Sequence, residues 1–126
     1  MTFTEYVPGV CNIGPAEIAR RRRVGWLGLA ATAILFGVLV AVDAGQWWML
    51  LVFLPATMAA SGFLQAHLHF CAGFSRAGVF NFGPVGPTQR VEDREALAAD
   101  RRRGNRILLY SMLIGAAVSL LAVIVA

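Results

Sequence analysis

The sequence predicts an all-α integral membrane protein: a helical hairpin plus a third span, three transmembrane helices in all, with a cytoplasmic juxtamembrane loop or cap. Three observations predict it. Of the 126 residues, 58% are hydrophobic and 14% are charged, against about 25% charge in an ordinary soluble domain. A core of this size cannot hide so much apolar sequence, because so short a chain buries only about two-thirds of its unfolded surface. Next, Val24 to Val42, Trp47 to Ala66 and Ile107 to Ala126 are apolar runs without a charge, each about 20 residues, the length a helix needs to cross hydrocarbon. Last, the chain has eleven Arg, no Lys and a net charge of +4, and in a three-span arrangement every Arg falls on one side.

Residues 1–14 read as a cytoplasmic N-terminal segment and residues 15–43 as a helix carrying the first span. Pro15 suits the first position of a helix, and Glu17 in the first turn favours the helix dipole. The run Arg20 to Arg23 then forms the cytoplasmic turn of that helix. Asp43-Ala44-Gly45-Gln46 is just long enough to reverse the chain, so the second span, residues 44–69, lies antiparallel to the first. Pro55 removes one backbone hydrogen bond from it, and Ala59-Ala60-Ser61-Gly62 comes after, so a kink is expected there. Residues 70–106 are a cytoplasmic Phe/Gly-rich loop and a charged helix from Glu92 to Arg106, bent at Gly104-Asn105, that leads into the third span, residues 107–126. Small residues four apart, Gly28 and Thr32, Ala33 and Gly37, Gly115 and Ser119, predict close helix contacts.

The positive-inside rule makes this a multi-pass protein of the cell membrane, N-terminus cytoplasmic and C-terminus on the outer side. Trp47 and Trp48 then lie at the outer interface, with Trp26 and Tyr110 near the inner one. A cleaved signal peptide fits poorly, since the first apolar run is too long and the segment before it too elaborate. A basic chain raises nucleic acid as a partner, but Arg clusters beside apolar runs are cytoplasmic anchors, so no nucleic acid is expected. The expected partners are the lipid bilayer and a second copy or another membrane protein.

One constellation could carry chemistry. The chain has two Cys and two His, and all four fall on the predicted cytoplasmic side: Cys11, His67, His69 and Cys71. Two of each would satisfy a tetrahedral site for zinc, iron or copper, although the spacing is not that of a zinc finger. On a continuous helix His67 and Cys71 share a face and His69 lies about 200° away. The preferred metal set is therefore His67, Cys71 and Cys11, with His69 a fourth ligand if the helix ends before it. A reducing compartment disfavours a disulfide between Cys11 and Cys71. Their ordinary reading is as small buried residues.

Cys11-Asn12-Ile13-Gly14-Pro15 reads as a tight turn. Phe70, Phe74, Phe80 and Phe82 alternate with glycines and read as a segment folded over the inner helix ends, with Asn81 capping a turn. Arg76 is an interfacial anchor or the partner of a propionate or phosphate. No catalytic motif is present, and no ionisable residue lies near a bilayer midplane, where proton and ion pathways keep theirs. The expected function is a non-enzymatic accessory or structural subunit acting through helix packing. A membrane-bound metal or redox protein is the alternative, and an oligomeric transporter or channel the third reading.

Overall fold

The computed structural model describes residues 5–126 and is mostly helical. Helix α1 spans Pro15–Ala41, a 3₁₀ segment spans Gln46–Val52, and α2 spans Phe53–Leu68. A short helix α3, Ala72–Ala77, is followed by a two-stranded antiparallel ribbon of β1, Val79–Phe80, and β2, Gln89–Arg90. Helix α4, Arg94–Val125, ends the fold. Three of these stretches, Pro15–Ala41, Gln46–Leu68 and Arg94–Val125, are long and apolar enough to cross a membrane.

Helix α1 starts with Pro15 at its first position and Glu17 in its first turn, as expected. It ends where Asp43 takes a left-handed conformation at φ 55° and the Ala44 amide donates back to the Leu39 carbonyl at 3.0 Å. The reversal is as short as predicted, but the chain does not leave it as an α-helix. Pro55 has no N–H, and its ring would strike the carbonyl of Leu51 in a continuous α-helix. Residues 46–52 take the tighter 3₁₀ winding instead, and α2 begins at Phe53, which puts Pro55 in a first turn where no N–H is needed. The expected kink is thus a change of helix type that precedes the proline.

Helix α2 lies between the other two long helices and packs on both, whereas α1 and α4 scarcely touch each other. The α1–α2 crossing is built on absent side chains. A Cβ at Gly28 would lie 2.6 Å from the Ala59 nitrogen, and one at Gly62 would lie 2.7 Å from the Arg21 carbonyl oxygen. The α2–α4 crossing has Thr57 against Gly115. Gly37, in contrast, has nothing within 4 Å of where a Cβ would sit. Its spacing from Ala33 predicts a helix contact that the structure does not contain.

Helix α4 runs without a break through Gly104-Asn105 and is opened by Asp93, whose carboxylate accepts from the Ala96 amide at 3.2 Å. Gly104 lets α3 approach, because a Cβ there would run into the Ser75 hydroxyl and lie 3.4 Å from the Ala72 Cα. The buried face of α4 reads Ala96, Asp100, Gly104, Ile107, Ser111, Gly115, Ser119 and Ala122, one stripe at helical spacing through both the charged and the apolar portions. Ser111 and Ser119 satisfy themselves on the Ile107 and Ala116 carbonyls. Apolar clusters close both ends: Leu39, Met49, Val52, Ala56, Ala122 and Val123 beside the 3₁₀ segment, and Phe70, Ala72 and Ile107 at the Arg-rich end.

Candidate functional site: a buried polar cap at the Arg-rich end

The residues that precede α1 form a strap across the ends of the helices. Val7 and Cys11 face each other in a bridge, and Ile13 pairs in parallel with Asn81. Gly14 must be glycine, since a Cβ there would lie 2.7 Å from both the Cα and the carbonyl oxygen of Phe82. Main-chain bonds fasten the strap on two sides: Asn12 donates to the His69 carbonyl at 3.2 Å, Asn81 to the Asn12 carbonyl at 3.0 Å, and Gly14 to the Asn81 carbonyl at 2.8 Å.

Side chains then lock it. Asn12 is fully buried; its amide donates to the Cys71 carbonyl at 3.0 Å while its oxygen accepts from the Cys71 amide at 2.6 Å. This reciprocal pair closes the joint between α2 and α3. Glu17, 1% exposed, accepts from Arg21 one turn along α1 and from the Asn81 amide at 3.2 Å. Arg21 also reaches the Cys71 sulfur at 2.8 Å and lies 5.0 Å above the Phe74 ring. Asn81 accepts from the Gly83 amide at 3.0 Å and donates to the Pro84 carbonyl at 2.8 Å, so it caps the turn as expected and joins the ion pair as well. Gln65 of α2 completes the joint, its side-chain oxygen accepting from the Ala72 amide at 3.0 Å.

A second lock joins the strap to α4. The Asp100 carboxylate, without exposed surface, accepts from the Tyr6 hydroxyl at 2.6 Å and the Gly9 amide at 2.7 Å. The Tyr6 ring stacks on Phe80 with centroids 4.5 Å apart. Burial first, and then the hydrogen bond to Asp100, push the Tyr6 hydroxyl above the ordinary tyrosine range. The unfolded chain therefore ionises this tyrosine first, so the stabilisation is complete below about pH 10 and is lost as pH climbs further. Tyr6→Phe should destabilise the protein by about 1.5–3 kcal/mol near neutrality, the range for a hydrogen bond to a charged group. The gap between the two proteins should narrow above about pH 10. Unfolding curves near neutrality and in that alkaline range check this; an equal gap in both would contradict it.

The four residues expected to hold a metal do not form a ligand group among the described residues. Helix α2 ends at Leu68, and His69 takes a left-handed conformation at φ 56°, so His67 and Cys71 do not share a helix face. His67 is exposed on the last turn of α2. Burial above all lowers the pKa of His69, with His67 a smaller contribution. Cys11 is buried with its thiol directed at the Ile13 carbonyl at 3.5 Å, and burial pushes that thiol up. Cys71 is the N-cap of α3, its sulfur accepting from the Phe74 amide at 3.4 Å and from Arg21. A guanidinium against that sulfur opposes a second cation. Both cysteines are free thiols, and among the described residues no three His, Cys, Asp or Glu side chains come together as a metal would require.

The residues that matter most here are not the ones that the sequence advertises. Glu17 reads as a dipole partner and Asp100 as part of a solvated helix, yet both are buried hubs. A signal for Asp100 does exist, since it stands at i+4 from Ala96 and i−4 from Gly104, inside the small-residue series that continues into the third apolar run. Asn12 and Asn81 read as turn residues; beyond the turn that Asn81 caps, their side chains reach partners 59 and 64 positions away, and no local signal marks those bonds. Chemically, the cap directs its donors and acceptors at one another, which makes it a clamp between the strap and three helices. No family model, curated protein or solved structure matches this chain, so the functional reading rests on this geometry.

Proposed function

We propose that the chain is an integral protein of the cell membrane with three spans, its clamped cap and N-terminus in the cytoplasm and its C-terminus outside. In this reading it serves as a non-enzymatic accessory or structural subunit that acts by packing against another membrane helix. One observation carries it: α1 and α4 flank α2 without closing over it. They leave an apolar groove with two connected hollows of about 310 and 200 Å³ that share Leu29, Thr32 and Val118. Ala56, Ala59 and Ala60 floor the inner hollow, and small side chains let a helix backbone come close where lipid and protein are equally apolar.

Two further features support the membrane. Large apolar residues point outward from all three long helices, among them Ile34, Leu54 and Ile124 at 67%, 66% and 74% exposure. The Arg-rich end is the one that the positive-inside rule assigns to the cytoplasm. The test places a photo-crosslinking amino acid in cells at Val118, which lines the groove, and at Leu113, which is exposed on the same helix. A discrete protein adduct from position 118 and none from 113 is the expected result. Lipid adducts alone from both positions would rule out the subunit reading, and an active extracytoplasmic reporter fused to the N-terminus would rule out the orientation.

A further inference from the structure

Of the eleven arginines, Arg20 and Arg21 alone lie within 4.0 Å of a carboxylate among the described residues. Arg21, with Arg20 beside it, serves Glu17. Arg76 on α3, Arg90 on β2 and Arg101 on α4 have no carboxylate within 4.0 Å among the described residues. These three converge on the corner where α3, the ribbon and α4 meet. Arg76, Arg101 and Asn105 line a hollow of about 280 Å³, and Arg101 and Arg90 line an adjoining one of about 360 Å³. Glu92 also lines the second hollow and makes no ion pair with any of the three.

The first hollow offers donors. Arg76 donates to the Asn105 side-chain oxygen at 3.1 Å, which holds one guanidinium in place and leaves the Asn105 amide N–H groups available. Arg101 stands one helical turn before Asn105 on the same face of α4. A guanidinium has no acceptor atom, so two of them beside an amide N–H₂ match a species that presents several anionic oxygens. Planar guanidinium forks match phosphate oxygens in pairs.

Depth narrows the source. Asn105 and Arg101 precede the apolar run at Ile107 by two and six residues, about 3 and 9 Å along the helix axis. A bilayer's headgroup layer extends roughly 5–8 Å beyond its hydrocarbon on each side. We infer that Arg76, Arg101 and Asn105 form a phosphate-binding site at the inner membrane surface, with Arg90 as a flanking charge, which takes the headgroup phosphate of an anionic phospholipid. The choice of lipid rests on the membrane reading above; the donor set does not.

The test uses the full chain in detergent, with phosphatidylglycerol added and lipid retention read by native mass spectrometry. The wild type should retain one phosphatidylglycerol in preference to phosphatidylcholine. The pair R76Q and R101Q together should weaken retention about ten-fold or more, whereas R102Q, on an exposed neighbour, should leave it nearly unchanged. R76K with R101K should restore part of it. All these side chains are exposed, and unchanged circular dichroism would show that the fold survives. Displacement of the lipid by millimolar inorganic phosphate would show that the site takes free phosphate as well; no displacement would tie it to lipid. Equal weakening by R102Q and by the R76Q/R101Q pair would overturn the site in favour of diffuse attraction. A chain that stays monodisperse without detergent, yet binds inorganic phosphate through Arg76 and Arg101, would refute the membrane reading and leave the site standing.

Discussion

Asn12→Ala should destabilise the protein by about 2–6 kcal/mol, more than any other polar truncation in the strap. The side chain is fully buried and serves both main-chain groups of Cys71, donating at 3.0 Å and accepting at 2.6 Å. Alanine removes both partners at once and leaves an amide N–H and a carbonyl without water or replacement. Each orphaned group costs about 1–3 kcal/mol. Cys71 is also the N-cap of α3, so the loss reaches the helix that seats against Gly104. Unfolding in mixed micelles measures the shift, and limited proteolysis of the 5–14 strap should accelerate alongside it. A loss below about 1 kcal/mol would mean that the α2–α3 joint is held by the main-chain bond from Asn12 to His69 and by Gln65, not by the Asn12 side chain.

The long helices are legible in the sequence because hydropathy is local: a charge-free run of about 20 residues has few other fates. Pro15, the Asp43 reversal and the Asn81 turn are equally legible, since each acts on neighbours within a few positions. The cap is not. Its decisive pairs join Tyr6 to Asp100, Asn12 to Cys71 and Asn81 to Glu17, and no periodicity links residues so far apart. The preferred Cys and His set assumes that a helix containing His67 runs on to Cys71, and the left-handed turn at His69 breaks that spacing; the four-ligand set needs the helix to end before His69, as it does at Leu68, yet no group of three such side chains forms among the described residues. Pro55 holds readable information displaced by a few residues, since a proline disturbs the turn before it.

The glycines divide by the same logic, and substitution should separate them sharply. Gly62→Ala adds one methyl group, yet that carbon would meet the Gly25 nitrogen, with the Arg21 carbonyl oxygen at 2.7 Å and the Gly25 Cα at 2.8 Å. All three are backbone atoms, so no rotamer relieves the contact and α1 must move away from α2. Ordinary overpacking costs about 1–3 kcal/mol; here at least about 3 kcal/mol is expected, because the displaced turn carries Arg21 away from the Cys71 sulfur and Glu17 away from Asn81. Gly62→Leu should prevent assembly of the hairpin. Gly37→Leu, with open space where its Cβ would sit, should change stability by no more than about 0.5 kcal/mol, the usual range for a surface position. Sequence spacing puts Gly37 among the close helix contacts and Gly62 only beside a kink, whereas the crossing point reverses that order. Unfolding midpoints of the three variants in one detergent would decide it, and a Gly62→Ala protein as stable as Gly37→Leu would show that the two helices cross elsewhere.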